Sequence, residues 1–354
     1  MAATALNTQR PDSHARAERF PGIDLLRIAA SFMVVLLHLS IWTELDGPVP
    51  DGAYRAAARF LRAECVCAVD LFVLASGFLL ATRPFRFARI ALLALQVYLT
   101  SFVIRLAAIM LSPASPGWDG FFRDYWFWNA YLVIAFLSPL LNAALRALHR
   151  AWPASRVRLL LAGLALAFAF IPLPGGLDFV KRGYSGLWFI VPYLIGAEIA
   201  LERQTGRSVP AHPWRFEAVA CLLPLLGWAG SSALRRFPDF AHLSLNGSYA
   251  SPIVLAAATA HLLFFTSLHA RPLPRPVRLV AATAFGVYLI HANPLAQPVC
   301  RQALNAFEIR SSAPALLASQ LLFGLLLYAM CAFLDALRFL AFRNRRVGHP
   351  SKPV

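Results

Sequence analysis

Long apolar runs, separated by short polar segments, follow one another along the whole chain. A run of about twenty apolar residues is long enough for a helix to cross the hydrocarbon core of a bilayer. Ten runs of about this length are found, at residues 23–42, 64–82, 88–111, 125–145, 157–172, 184–201, 216–234, 249–269, 277–299 and 313–341. The pattern therefore predicts an all-α polytopic membrane protein with about ten transmembrane helices.

The basic residues between the runs predict the orientation. If the N-terminus lies in the cytoplasm, twenty-one arginines and lysines fall in inner segments and ten in outer segments. Because cytoplasmic loops are enriched in basic residues, both termini are expected to be cytoplasmic. The predicted organisation is a cytoplasmic tail at residues 1–22, one transmembrane domain at 23–342 and a basic cytoplasmic tail at 343–354.

The composition agrees with a membrane protein and restricts the classes of ligand and partner that are expected. The chain is 59% hydrophobic and only 14% charged, which is unlike a soluble domain. The net charge of +16 would suit nucleic acid, but the basic cluster at residues 83–89 lies between two apolar runs, so no nucleic-acid partner is expected. The five cysteines match neither a disulfide framework nor a zinc site, and no metal site is expected.

Two polar side chains interrupt the first apolar run. Arg27 and His38 are eleven positions apart, so they point within about 20° of each other and lie about 16 Å apart along a helix. Ser31 and Val34 lie between them on nearly the same face and would leave a narrow lane beside the helix. Charge inside a bilayer is costly and usually functional. The alternatives are that Arg27 snorkels to the interface and that His38 only bonds a neighbouring helix.

Asp70 in the second run is expected at about the depth of His38. If these two helices pack together, its carboxylate would hold the imidazole in one tautomer and stabilise the protonated ring. The alternative is that Asp70 pairs with an arginine such as Arg62 or Arg105. The ordinary pKa of histidine suits general-base chemistry, which makes His38 the candidate base.

Three motifs resemble the acyltransferase-3 family of integral membrane O-acyltransferases. The first helix has the family's aspartate, arginine and histidine at Asp24, Arg27 and His38. The second run contains VDLFVLASGFLL, which is similar to the family's Asp-Leu-Phe and Ser-Gly-Phe stretch. The ninth run contains TAFGVYLIHAN, which resembles the signature that carries Tyr288 and His291. The resemblance extends over about residues 20–340.

The fourth run also resembles a Trp- and Tyr-rich helix of this family. Its aromatic residues Trp126, Trp128 and Tyr131 are assigned to an aromatic belt at the outer membrane interface.

The resemblance implies a substrate class and a location. It implies acetyl-coenzyme A as co-substrate, with no permanently bound cofactor, and leaves succinyl or another short acyl group open. It implies a glycan acceptor, either lipid-linked or part of a surface polysaccharide, as in the glycan O-acetyltransferase branch. The expected location is a bacterial plasma (inner) membrane, where the multi-pass chain contacts membrane lipids.

The candidate site follows from these motifs. His38 would take the proton from a sugar hydroxyl, and Asp70 would orient it; an acyl-histidine intermediate is left open. His291 would either touch the acceptor or bond within the bundle. The candidates for donor and substrate binding are Arg27, Ser76, Arg83, Arg86, Arg89, Tyr288 and His291.

Two other function classes are weighed against the enzyme. Many helices and charge inside the membrane also suit a transporter of a lipid-linked glycan or small solute. No paired interrupted segments in two similar halves support it. A membrane scaffold or sensor without enzymatic activity would leave the alignment of Arg27 and His38 unexplained.

Overall fold

A computed structural model describes residues 20–46, 52–111, 118, 120–170, 181–205, 212–237, 245–268 and 272–343. Within these residues the chain forms twelve α-helices. They are α1 (Pro21–Asp46), α2 (Ala53–Cys65), α3 (Ala68–Leu80), α4 (Phe87–Leu111), α5 (Trp126–Ala151), α6 (Ala154–Phe170), α7 (Gly186–Gln204), α8 (Trp214–Leu234), α9 (Pro252–Ser267), α10 (Arg275–His291), α11 (Gln297–Phe307) and α12 (Ala313–Arg343).

Among the residues that the structure describes, six helical segments are long and apolar enough to cross a membrane. They are Pro21–Glu44, Ala53–Leu80, Phe87–Leu111, Trp126–Ala151, Trp214–Leu234 and Ala313–Arg338. The predicted membrane class and the all-helical architecture of the described residues are confirmed, and the chain is multi-pass. The total of ten spans and the cytoplasmic termini stay predictions. Most of residues 1–22 and nearly all of 343–354, the two predicted tails, lie outside the described residues.

Helix α1 lies at the centre of the bundle. It packs against α2, α3, α9, α10, α11 and α12. Its apolar side chains Leu26, Ala30, Val35 and Leu39 are fully buried, which explains why a helix with so few lipid-facing residues is apolar along almost its whole length. Any polar side chain on α1 therefore meets protein on several sides.

Two glycines bring α3 and α7 into backbone contact. A Cβ atom on Gly77 would lie 2.0 Å from the carbonyl oxygen of Tyr193, and one on Gly196 would lie 2.0 Å from that of Leu74. Any larger residue would collide with the opposite helix. Gly77 and Gly196 therefore let the two helices approach closely, as small residues do in membrane helix pairs.

A third glycine joins α10 to α12. A Cβ atom on Gly286 would lie 2.1 Å from the carboxyl carbon of Asp335, so only glycine leaves room for this carboxylate. Asp335 accepts hydrogen bonds from Arg338 on its own helix and from Gln96 on α4. The contact fixes α4, α10 and α12 relative to one another.

Candidate active site

A pair of histidines joins α1 to the end of α10. Nδ1 of His38 lies 2.9 Å from Nε2 of His291, and Nδ1 of His291 lies 2.6 Å from the carbonyl oxygen of Val287. His291 is fully buried, whereas His38 is partly exposed and its ring stacks on Trp42.

The carbonyl oxygen of Val287 determines the tautomers of the neutral pair. A carbonyl only accepts, so Nδ1 of His291 carries the proton and donates it to Val287. Nε2 of His291 is then an acceptor, and Nδ1 of His38 must donate to it. The remaining nitrogen of His38, Nε2, keeps its lone pair, which is the state that a general base or a nucleophile requires.

The predicted pairing of Asp70 with His38 is wrong. Oδ1 of Asp70 accepts a hydrogen bond from Nε1 of Trp188 on α7 at 3.0 Å, and the histidine partner of His38 is His291. The alternatives for Asp70 also fail, because Arg105 pairs with Asp124 and Arg62 with Glu44. Asp70 is a fully buried contact between α3 and α7, with one oxygen that has no hydrogen-bond partner among the described residues.

His38 lines a small and mainly aromatic cavity of about 40 Å³, here called the His38 cavity. A volume of this kind holds about three water molecules, or a group of the size of an acetyl. The lining residues come from α1, α3, α5, α10 and the segment before α9; they are Val34, Leu37, His38, Val69, Phe72, Trp126, Phe127, Tyr249, Phe285 and Tyr288.

Arg27 lines a second and larger cavity of about 500 Å³, the Arg27 cavity. Its polar lining consists of Arg27, Ser76, Arg89, Gln96, Tyr131 and Arg338. Arg27 thus faces a cavity inside the protein, as the helical spacing predicts. The alternative, that its side chain only extends to the membrane interface, does not describe this position. Ser31, which was expected in the same lane, instead bonds the hydroxyl of Tyr328 on α12 and the carbonyl of Ile28.

Three phenylalanines separate the two cavities. Phe72 on α3, Phe127 on α5 and Phe285 on α10 line both the His38 cavity and the Arg27 cavity. The single open lane expected from the helical spacing is therefore divided by aromatic rings.

A third cavity of about 250 Å³, the Arg86 cavity, adjoins the Arg27 cavity. The two share Arg89, Leu93 and Tyr131. Arg83, Arg86 and Arg89 all line it, as does Arg146, whose guanidinium donates to the carbonyl of Ala81 at the end of α3. The three cavities thus follow one another from an arginine cluster to the histidine pair.

The comparison with protein families agrees with this arrangement. The family model for the acyltransferase domain of the acyltransferase-3 family matches residues 20–337. The chain belongs to the acyltransferase-3 family. It is therefore a membrane acyltransferase, and the resemblance drawn from its motifs is confirmed at the level of the family. No curated protein and no solved structure matches the chain.

The motifs of this acyltransferase lie around the cavities. Tyr288 and His291, far from α1 in sequence, meet His38 in the His38 cavity and at its histidine pair. Ser76 lines the Arg27 cavity, and its hydroxyl donates to the carbonyl of Phe72 one turn earlier. Of the predicted site residues, Asp70 and His291 line none of these three cavities, but His291 reaches the site through its hydrogen bond to His38.

Several cavity residues of the acyltransferase were missed or misassigned from sequence. Both Arg338 and Gln96 donate hydrogen bonds to Asp335, and this places them in the lining of the Arg27 cavity. Gln96 lies far from Asp335 in sequence, so no local sequence pattern shows this contact. Trp128 was assigned to an interfacial belt, but it is buried against the Arg27 cavity, and its Nε1 has no hydrogen-bond partner among the described residues. Trp126 likewise lines the His38 cavity.

Proposed function

We propose that the chain transfers an acetyl or other short acyl group from acyl-coenzyme A to a hydroxyl of a surface or lipid-linked glycan. His38 is the general base, and Nε2 is the atom that takes the proton. The observation that carries this proposal is the hydrogen-bonded series from Val287 through His291 to His38, which leaves Nε2 of His38 with a free lone pair on a residue that lines a cavity beside the Arg27 cavity.

The donor fits the two arginine-lined cavities. Phosphate groups favour clustered guanidinium groups, and Arg83, Arg86 and Arg89 supply them at the end remote from His38. Arg27 and Arg338 extend the positive lining toward the phenylalanines. A long donor arm would then run past these rings and place the thioester beside His38. With both termini cytoplasmic, the arginine cluster faces the cytoplasmic supply of acyl-coenzyme A.

The proposed transfer is a direct acyl substitution. His38 Nε2 takes the proton of the acceptor hydroxyl while its oxygen attacks the thioester carbonyl. The new ester C–O bond forms, the C–S bond breaks, and the thiolate leaves with the proton returned from His38. His291 accepts from Nδ1–H of His38 throughout and so stabilises the imidazolium that forms. His291 is a positioning residue, which takes the place assigned to Asp70 from sequence.

A glycan analysis tests the proposal in cells. We expect a bacterial host that expresses the chain in its plasma membrane to carry surface glycans heavier by one acyl group per modified sugar, as seen by mass spectrometry. The His38→Ala variant should lack this mass, and His212→Ala, an exposed histidine outside the three cavities, should retain it. An unchanged mass in the His38→Ala strain would contradict the assignment of the base.

The series of three cavities also favours a second candidate, a transporter of a lipid-linked glycan or small solute. In that case the purified chain in liposomes would move solute without cleaving acetyl-coenzyme A. Thioester cleavage that requires His38, without solute flux, decides for the enzyme.

A further inference from the structure

Three aromatic rings form a packed cluster at the edge of the His38 cavity. The ring centroids of Trp126 and Tyr184 are 4.5 Å apart, those of Tyr184 and Tyr249 are 4.9 Å apart, and those of Trp126 and Tyr249 are 5.7 Å apart. Trp126 and Tyr249 line the cavity itself, whereas Tyr184 is 46% exposed. The cluster thus reaches from the surface of the protein to the base.

Unusual backbone geometry holds this cluster in place. Arg182 has a φ of 54°, in the left-handed region, and Gly183 follows with a φ of 88°. The carbonyl of Arg182 accepts from the N–H of Tyr249 at 3.1 Å. A Cβ atom on Gly183 would lie only 2.4 Å from that of Tyr249. The left-handed conformation of a non-glycine residue such as Arg182 costs free energy. It persists only where the surroundings enforce it, often at ligand sites.

All three rings stand before or at the start of a helix that runs away from the cluster. Trp126 begins α5, Tyr184 precedes α7, and Tyr249 precedes α9. The predicted orientation places all three helix starts on the side opposite the arginine cluster. A ligand on the rings would therefore approach His38 from the side remote from the donor.

We infer that Trp126, Tyr184 and Tyr249 form the acceptor subsite and bind a pyranose ring of the glycan. The face of an aromatic ring is negative, and the C–H groups on the flat face of a sugar ring are weakly positive, so the two surfaces attract. The tyrosine hydroxyls supply hydrogen bonds for sugar hydroxyls. This inference deepens the proposed function by locating the acceptor on the opposite side of His38 from the donor.

Saturation-transfer NMR on the full chain tests the subsite without any acyl donor. The probes are methyl pyranosides of glucose, galactose and rhamnose, with glycerol as a probe that has hydroxyls but no ring face, in a detergent without sugar or aromatic groups. Irradiation of the protein's aromatic protons should transfer saturation to the ring C–H protons of at least one pyranoside and not to glycerol.

Four variants locate the contact. Loss of one stacked ring should weaken pyranoside binding about fivefold in Tyr184→Ala and in Trp126→Ala. Tyr184→Phe keeps the ring and should bind within about twofold of the native chain. Trp118→Ala removes a 52% exposed indole that stacks on Phe102, away from the cavity, and is the matched control.

The inference is overturned if no pyranoside receives saturation, if glycerol receives as much, or if Tyr184→Ala and Trp126→Ala bind like the native chain. Saturation of the detergent alone would instead show that the rings face lipid. Because the experiment contains no thioester, pyranoside binding by a chain that does not cleave acetyl-coenzyme A would refute the proposed function and leave the sugar site standing.

Discussion

His38 is the residue on which the proposed chemistry depends, and its tautomer depends on His291. A fixed acceptor, the carbonyl of Val287, determines which nitrogen of each ring carries a proton. Asp70 is the carboxylate that was expected to orient His38, but it accepts a hydrogen bond from Trp188 instead. A neutral imidazole thus contacts His38, the proposed base, in place of a carboxylate.

Replacing His291 tests this relay. In His291→Gln the amide oxygen can accept from Nδ1–H of His38, so the correct tautomer of His38 is preserved. His291→Ala removes the acceptor, and we expect thioester cleavage to fall about 10- to 100-fold, because the base then loses its fixed tautomer. Initial rates of thiol release from acetyl-coenzyme A measure both variants. Equal rates for the Gln and Ala variants would contradict the relay.

The three phenylalanines predict acyl-chain selectivity. The His38 cavity is small, about 40 Å³, and Phe72, Phe127 and Phe285 stand between it and the Arg27 cavity, so we expect these rings to oppose a longer acyl chain. One methylene in an apolar pocket changes specificity about 10-fold or more, so the native chain should prefer acetyl over butyryl thioesters by about 100-fold. Phe285→Ala joins the cavity to its neighbour and should reduce this preference to about 10-fold or less.

A matched control is available on α12. Phe333→Ala removes a phenylalanine that is exposed on the outside of the bundle, and it should leave the preference unchanged. If Phe285→Ala also left the ratio of kcat/KM for the two thioesters unchanged, the rings would not limit the acyl group.

At the scale of helices, the contact of α3 with α7 depends on glycine. Gly77→Ala would place a methyl group against the Tyr193 carbonyl, and overpacking of this kind costs about 1–3 kcal/mol. We expect a lower midpoint of thermal unfolding in detergent. Gly163→Ala, in α6 with no described atom within 4 Å of the new Cβ, should be neutral or stabilising by about 0.5–1 kcal/mol. Equal midpoints for the two variants would argue against the close contact.

The apolar runs predicted where the helices lie, but they predicted poorly where each helix begins and ends. The second run, 64–82, suggests one helix, but the structure has α2 and α3, which together extend from Ala53 to Leu80. The apolar count missed α2 because it is amphipathic, and its Arg59 and Arg62 pair with Glu44 at the end of α1. Similarly, the ninth run continues past the end of α10 at His291, beyond which α11 starts with Gln297 and Pro298.

Local helical geometry predicted one side of the site but not its partners. The spacing of Arg27 and His38 is a property of a single helix, and both residues do line cavities. The partner of His38 is chosen by packing between residues 253 positions apart in sequence, and similar depth alone does not distinguish Asp70 from His291. Arg338 and Trp128 were missed for the same reason.

At the scale of the whole molecule, the bundle keeps an arginine-lined end and a histidine pair apart. Phenylalanines stand between the Arg27 and His38 cavities, so donor phosphates and acyl group would occupy different compartments. The aromatic cluster of Trp126, Tyr184 and Tyr249 borders the His38 cavity, which Trp126 and Tyr249 line. In the proposed reaction, donor and acceptor approach the same base from opposite ends.

If His38 is the base for acyl transfer from coenzyme A, the rate at which the purified chain releases thiol from acetyl-coenzyme A depends on this side chain. We predict that His38→Ala lowers this rate by about 10²- to 10⁴-fold, the usual contribution of a general base, whereas His212→Ala matches the native chain. A His38→Ala protein that folds normally and cleaves the thioester at the native rate would show that His38 is not the base.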